Sequence, residues 1–202
     1  MVSQASGSGG APLAIHPLAT VEAVHAAAAL FDEVWVGDRA TMPANILRAL
    51  EHVGNYVVGV YDGDRMIGAS VAFFGAPADR VLHSHITGLL PSHRGGGIGR
   101  WMKEHQRTWA LERGVQHITW TFDPLIARNA HFNLTVLGAT AVEYLVDHYG
   151  AMPDAVNRGD ASDRLLVRWD IAAPPTGTST SGEIAVAVPV DVESMRREAP
   201  SE

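Results

Sequence analysis

The chain has 202 residues, a formal net charge of -7 and 47% hydrophobic residues, enough for one globular domain with a core of its own, with or without an appendage. The acidic balance argues against a general nucleic-acid binder, which carries a basic face. There is no cysteine, which excludes disulfides, thiolate zinc sites and cysteine nucleophiles, and no apolar run is long enough to span a bilayer.

The first twelve residues are small and polar without the basic-then-apolar order of a signal peptide, so they read as a disordered leader and a cytoplasmic location is the default. "LAIHPLAT" offers a strand ending at Pro17, and Thr20 is placed to cap a helix through "VEAVHAAAALFDEVW". Pro43 is placed to start a second helix, with Gly54 near its end. A hairpin follows, "NYVVGVY" and "RMIGASVAFFG" around "DGD", and then a fourth strand, "RVLHSHITGLL". From Ile98 to about Arg113 the pattern is helical, with Ile98, Met102, Trp109 and Leu111 available to an apolar face and Gly114 as a stop. "HITWTF" is a fifth strand, a helix runs from about Ala127 to Leu137, and "TAVEYLV" and "DRLLVRWDI" alternate as two more strands. Residues 172–182 are a linker by composition, and 183–202 hold an accessory strand and short helix. The order implies a mixed α/β sheet whose hairpins exclude a purely parallel, doubly wound arrangement.

Between the fourth strand and its helix stands "PSHRGGGIGRW", with Gly95, Gly96, Gly97 and Gly99 crowded before a helix start. Strand, glycine turn and helix together make an anion site. The first helical amides lack intrahelical partners, the helix dipole adds positive charge, and glycine keeps side chains away from a phosphate. Arg94 and Arg100 can add charge at its rim. A nucleoside-triphosphate loop needs a lysine and a hydroxyl residue after the last glycine, where Arg100 and Trp101 stand. A dinucleotide fingerprint needs a third glycine where Arg100 or Met102 stands.

The pattern of Arg94, Gly97 and Gly99 closely resembles the coenzyme A pyrophosphate loop of the GNAT N-acetyltransferase superfamily. The likeness extends over about 13–171, including the "YDGDRMIG" hairpin and the "ARNAHFNLTVLGA" helix. "HSHITGLLPSHRGGGIG", "WTFDPLIARNAHFN" and "NRGDASDRLLVRW" are similar to a branch of acetyltransferases without settled substrate. The resemblance implies a mostly antiparallel mixed sheet splayed between strands four and five, helices on both faces, and acetyl-CoA as cosubstrate. Gly95, Gly96, Gly97, Ile98, Gly99 and Arg100 would then hold the pyrophosphate. Leu89 would offer backbone to the pantetheine arm, and Gly88 marks a bulge or a close approach in that strand. Asn129 would meet the arm from the other side or serve as a helix cap.

Acyl transfer to an amine by direct attack needs a base, a polarised carbonyl and a proton for the leaving thiolate. Many members of the superfamily supply that proton from a tyrosine whose position here is Leu134. Tyr144 and Tyr149 lie beyond that helix, and Tyr149 is the candidate acid. His83 and His85, two apart on a strand, share a face and titrate near neutrality, so they are candidate bases; the alternative is a pair bonded into the sheet surface. A His-x-His metal pair would need a third ligand that the sequence does not offer, so no metal is expected. Trp120, Asp123 and Asn133 are candidate acceptor contacts, with Trp120 also suited to the core, and Asn157, Arg158, Asp160 and Asp163 stand in a loop beside them. The expected partners are acyl-CoA and a small amine, with no nucleic acid or membrane. A non-catalytic acyl-CoA-binding module, a partner-binding domain and a homodimer stay open.

Overall fold

The computed structural model describes residues 12–36, 40–152 and 161–172, together with 188, 191, 192, 194 and 195. The expected leader up to residue 11, Asn157, Arg158 and Asp160, and most of the linker and tail lie outside the described residues. The chain forms two compact units, Met1–Gln116 and His117–Glu202. No helix among the described residues is long and apolar enough to cross a membrane.

In the first unit, β1 (Leu13–Pro17), β2 (Tyr56–Asp62), β3 (Arg65–Phe74) and β4 (Val81–Leu89) form an antiparallel ladder in that order. Strand alternation divides β2 between two cores. Val57 packs with Ala69 and Val71 under α1 (Val21–Val34) and α2 (Ala44–His52), whereas Val60 packs with Leu13 and Ile67 under α3 (Ile98–Leu111). Thr20 caps α1 as expected, its hydroxyl accepting from Ala23 N–H at 3.2 Å. Gly63 takes φ +58 in the short turn between the paired Asp62 and Arg65, a left-handed conformation that suits glycine there.

One residue of β4 is extra. Val71 pairs with Ile86 and Ala72 with Ser84, so His85 has no counterpart on β3, which is a bulge. Gly88, the position that suggested a bulge, instead pairs in register with Ala69. Its glycine answers the other expectation, close approach: a Cβ would meet Trp35 Cζ3 at 2.9 Å and Phe31 Cδ1 at 3.2 Å. The helix that follows buries Ile98 and Met102 as expected and leaves Trp109 half-buried, but Lys103, Gln106 and Ala110 complete the inward face in place of Leu111. Leu111 is 37% exposed.

In the second unit β7 (Arg164–Asp170) lies between β5 (His117–Phe122) and β6 (Thr140–Leu145), both pairings antiparallel. A short α4 (Ala127–Ala130) runs into a wider π-type stretch, His131–Val136. Gly138, at φ +70, ends it where expected, with Ala139 N–H reaching back to Asn133 O at 3.0 Å. Element order and type give a mixed α/β fold, with helices on both faces of the first unit's sheet.

Candidate active site

The exit from β4 is anchored first. Leu90 donates its N–H to Ile67 O at 2.9 Å, and His93 lies 4.0 Å from Asp62 of β2, with Ser92 Oγ 2.9 Å from its Nδ1. The chain then turns into α3 through Gly95 (φ +91), Gly96 and Gly97 (φ +79). A left-handed conformation costs a residue bearing a Cβ about 1–2 kcal/mol. Nothing lies within 4 Å of a Cβ built on any of the three, so backbone hand, not crowding, calls for glycine at 95 and 97.

Gly97 is the N-cap of α3, no side chain caps that end, and no acidic residue stands in its first turn. The first amides of α3 therefore keep the positive end of the helix dipole open to an anion. Ile98 is 7% exposed and packs with Met102, Val60 and Ile67, which fixes the first turn to the core. Arg94 and Arg100 are exposed at the rim. Arg94 Nε donates to Leu89 O at 3.2 Å, so the end carbonyl of β4 is already engaged within the chain. Open space, left-handed glycines and uncapped amides fit a pyrophosphate, and this stretch can hold one.

The expected common face for His83 and His85 is present. Their ring centroids lie 5.3 and 5.6 Å from that of Phe73 and 6.4 Å from each other. His85 is exposed. The protein around the ring nevertheless removes water from it, and that desolvation lowers its pKa below the ordinary histidine value. Among the described residues no group of three or more His, Asp or Glu side chains is arranged to hold a metal ion.

In the second unit Tyr149 Oη lies 2.9 Å from Thr121 Oγ1, and the Arg164 guanidinium is 5.5 Å from the phenol ring. Tyr144 donates to Asp163 Oδ2 at 2.6 Å. That bond raises the Tyr144 pKa and lowers that of Asp163, so Tyr144 is poorly suited to release a proton. Asp123 Oδ1 accepts from Leu125 N–H at 2.9 Å. Trp120 is 6% exposed and sits edge-on to Trp169 with centroids 6.4 Å apart, a place in the core of its unit. Ile126, not Asn129, is the N-cap of α4, which removes the capping explanation for Asn129. Asn129 is exposed and Asn133 is 6% exposed. Asn133 lies within the π-type stretch, where the 3.6-residue period of an α-helix does not hold.

Sequence reasoning passed over a polar cluster behind β4. Lys103 is 7% exposed, and its Nζ donates to Ser84 Oγ at 2.8 Å and to Gln106 Oε1 at 3.3 Å. Burial lowers its pKa to about 7. The available signal was compositional, because this is the one lysine in a chain whose other basic side chains are arginine or histidine.

Residues 23–132 match the acetyltransferase (GNAT) family. The chain belongs to that family. No protein of curated function matches it. Among solved structures, the ribosomal-protein-S18-alanine N-acetyltransferase of Escherichia coli superposes with a TM-score of 0.63 at 12% identity, over 83% of this chain and 99% of that one. Mycobacterium smegmatis RimJ, in complex with CoA-disulfide, gives 0.60 at 16% identity, over 78% and 81%. A Salmonella typhimurium protein, yncA, solved with acetyl-CoA as its cofactor, gives 0.60 at 14%, over 82% and 99%. At such identities the likeness is one of fold.

Proposed function

We propose that the protein is an acyl-CoA-dependent N-acyltransferase that uses acetyl-CoA and acylates a small amine by direct attack in a ternary complex. The observation that carries this is the uncapped start of α3 after the open, side-chain-free turn Gly95–Gly97, an anion site within a family of acetyltransferases. Backbone amides from Gly95 to Arg100 hold the pyrophosphate, Arg94 adds charge, and Leu89 and Asn129 contact the rest of the coenzyme. Bound acetyl-CoA supplies an acyl group activated as a thioester.

This chain's own residues handle the protons. His85, whose lowered pKa keeps its ring neutral at pH 7, accepts the proton of the attacking amine, directly or through water, with His83 the alternative base. Tyr149 is the acid, because its phenol is bonded to a hydroxyl, not committed to a carboxylate as that of Tyr144 is. Asp123 and Asn133 contact the acceptor, with Trp120 behind them.

The test is thiol release from acetyl-CoA against pooled amines. Turnover with at least one pool supports the reading. Tight coenzyme binding without turnover on any pool would replace it with a non-catalytic acyl-CoA-binding module, the reading that Leu134 in the usual acid position favours. Absence of coenzyme binding would leave a partner-binding domain.

A further inference from the structure

We infer that Lys103 is a positioning residue: it grips β4 from behind and fixes the bulge that presents His83 and His85. The consequence for turnover rests on the acyl-transfer reading, whereas the geometry does not.

A bulge is a register irregularity, and moving it by one residue turns the neighbouring side chains to the opposite face. Here two hydrogen bonds bracket the extra residue. On its N-terminal side Ser84 Oγ accepts from Lys103 Nζ at 2.8 Å, and on its C-terminal side Thr87 Oγ1 lies 2.8 Å from Ser70 Oγ of β3. With Ser84 and Thr87 both held, the surplus residue falls between them. His85 is then thrown to the face where His83 and Phe73 lie, and Ile86 to the core under α1. A bulge at Ser84 would take the hydroxyl away from α3 and turn His85 toward the apolar core beneath that helix.

The choice of residue agrees with a role beyond filling space. Leucine or methionine would fill the same volume without burying an amine, and burying one is unfavourable. The cluster is also incompletely satisfied, since Gln106 Nε2 is buried without a hydrogen-bond partner. Arginine, used for every other long cation of the chain, would hold a permanent charge here, whereas an amine can lose its proton.

The experiment follows the imidazole ring signals of His83 and His85 by NMR through a pH titration of the full chain, in Lys103→Met, Ser84→Ala and Ser84→Thr. In the first two, the ring signals should shift or split into two sets, with coenzyme affinity within about twofold of the native protein. Turnover should fall on the order of tenfold with the KM for coenzyme unchanged, as misplacement of a base predicts. Ser84→Thr keeps the hydroxyl and should restore the native signals. Native ring titrations in both Lys103→Met and Ser84→Ala would overturn the inference, and so would a threonine variant that behaves like the alanine one. If Lys103→Met does not fold, the two Ser84 variants decide alone. The ring titrations need no acceptor, so failure to find a substrate leaves this test intact.

Discussion

The glycine loop and the histidine face follow one another along a single stretch of chain, yet they are built in opposite ways. The loop is made of backbone: Gly95, Gly96 and Gly97 have open space around them and two of them hold left-handed conformations. The histidine face is made of side chains, aimed by one surplus residue in β4 and lodged against Phe73. A site of the first kind tolerates altered charge and fails when its backbone hand is changed. A site of the second kind keeps its shape under such changes and fails when one functional group is removed. Coenzyme affinity and turnover should therefore separate cleanly between the two.

The largest separation is expected at His85. His85→Gln should lower turnover about a hundredfold while coenzyme affinity, read by calorimetry, stays at its native value. The base must be neutral to act, and the His85 pKa is lowered from 6.5. Native activity should thus rise with pH along a limb centred below that value and be level above it. The glutamine variant should lose the limb. If the limb survives in both His83→Gln and His85→Gln, the base lies elsewhere and the contrast with the loop collapses.

The loop gives the converse result. Gly97→Ala should weaken coenzyme binding about tenfold, because φ +79 is left-handed and a Cβ there costs about 1–2 kcal/mol. Gly97→Val should do more. Arg100→Ala should change affinity by no more than about threefold, as expected of an exposed charge in solvent. Gly96 has the same open surroundings without a left-handed φ. Gly96→Ala therefore reports whether the ligand itself needs the space: a native-like fold with weakened binding places the coenzyme against that residue, and native affinity places it against Gly95 and Gly97.

Much of this arrangement was legible in the sequence. Thr20, the Asp-Gly turn and the glycine-flanked helices announce themselves through local chemistry, and the observed caps and turns match. The bulge did not, because a surplus residue in a strand is a relation between two strands, and neither sequence alone records it. Gly88 drew attention for the right chemical reason and the wrong partner: the group it admits is the ring of Trp35, fifty-three positions away in the chain. Part of the inward face of α3, Ile98 and Met102, was legible, and the rest was not, because lysine and glutamine belong on surfaces by residue type. The spacing of Ile98, Met102, Gln106 and Ala110 nevertheless runs straight down one side of the helix. The π-type stretch around Asn133 changes the helical period from inside the helix, and that too has no local signature.

Lys103 sharpens the comparison at intermediate effect size, through stability. Its pKa is about 7 in the folded protein against 10.5 for an unperturbed lysine. Between those values the unfolded chain binds a proton that the folded one does not, so this group destabilises the fold. The destabilisation is complete at and below pH 7 and fades as pH rises toward 10.5. Lys103→Met should accordingly gain most in urea midpoint, relative to the native chain, near pH 7, and lose that advantage progressively toward about pH 10. A difference that is constant with pH would mean that the amine is charged in the fold. A variant that gains stability at pH 7 while losing turnover would show that the lysine is kept for function.

The smallest effect is expected from the tail. In the tail Asp191 Oδ1 accepts from Ser194 N–H at 2.9 Å and Val192 is 8% exposed. Burying one valine is worth about 1.5–3 kcal/mol at most. The anion site is built from β4, the glycine turn and α3, all within the first unit, whereas the tail belongs to the second. Deleting residues after Ile171 should therefore lower the unfolding midpoint by an amount that Val192→Ala reproduces in large part. Coenzyme affinity should stay within about threefold, as for a change distant from the site. Loss of coenzyme binding in the truncated chain, with the fold intact by circular dichroism, would show that the tail helps to build the site. It would also mean that the loop does not hold the coenzyme by backbone alone.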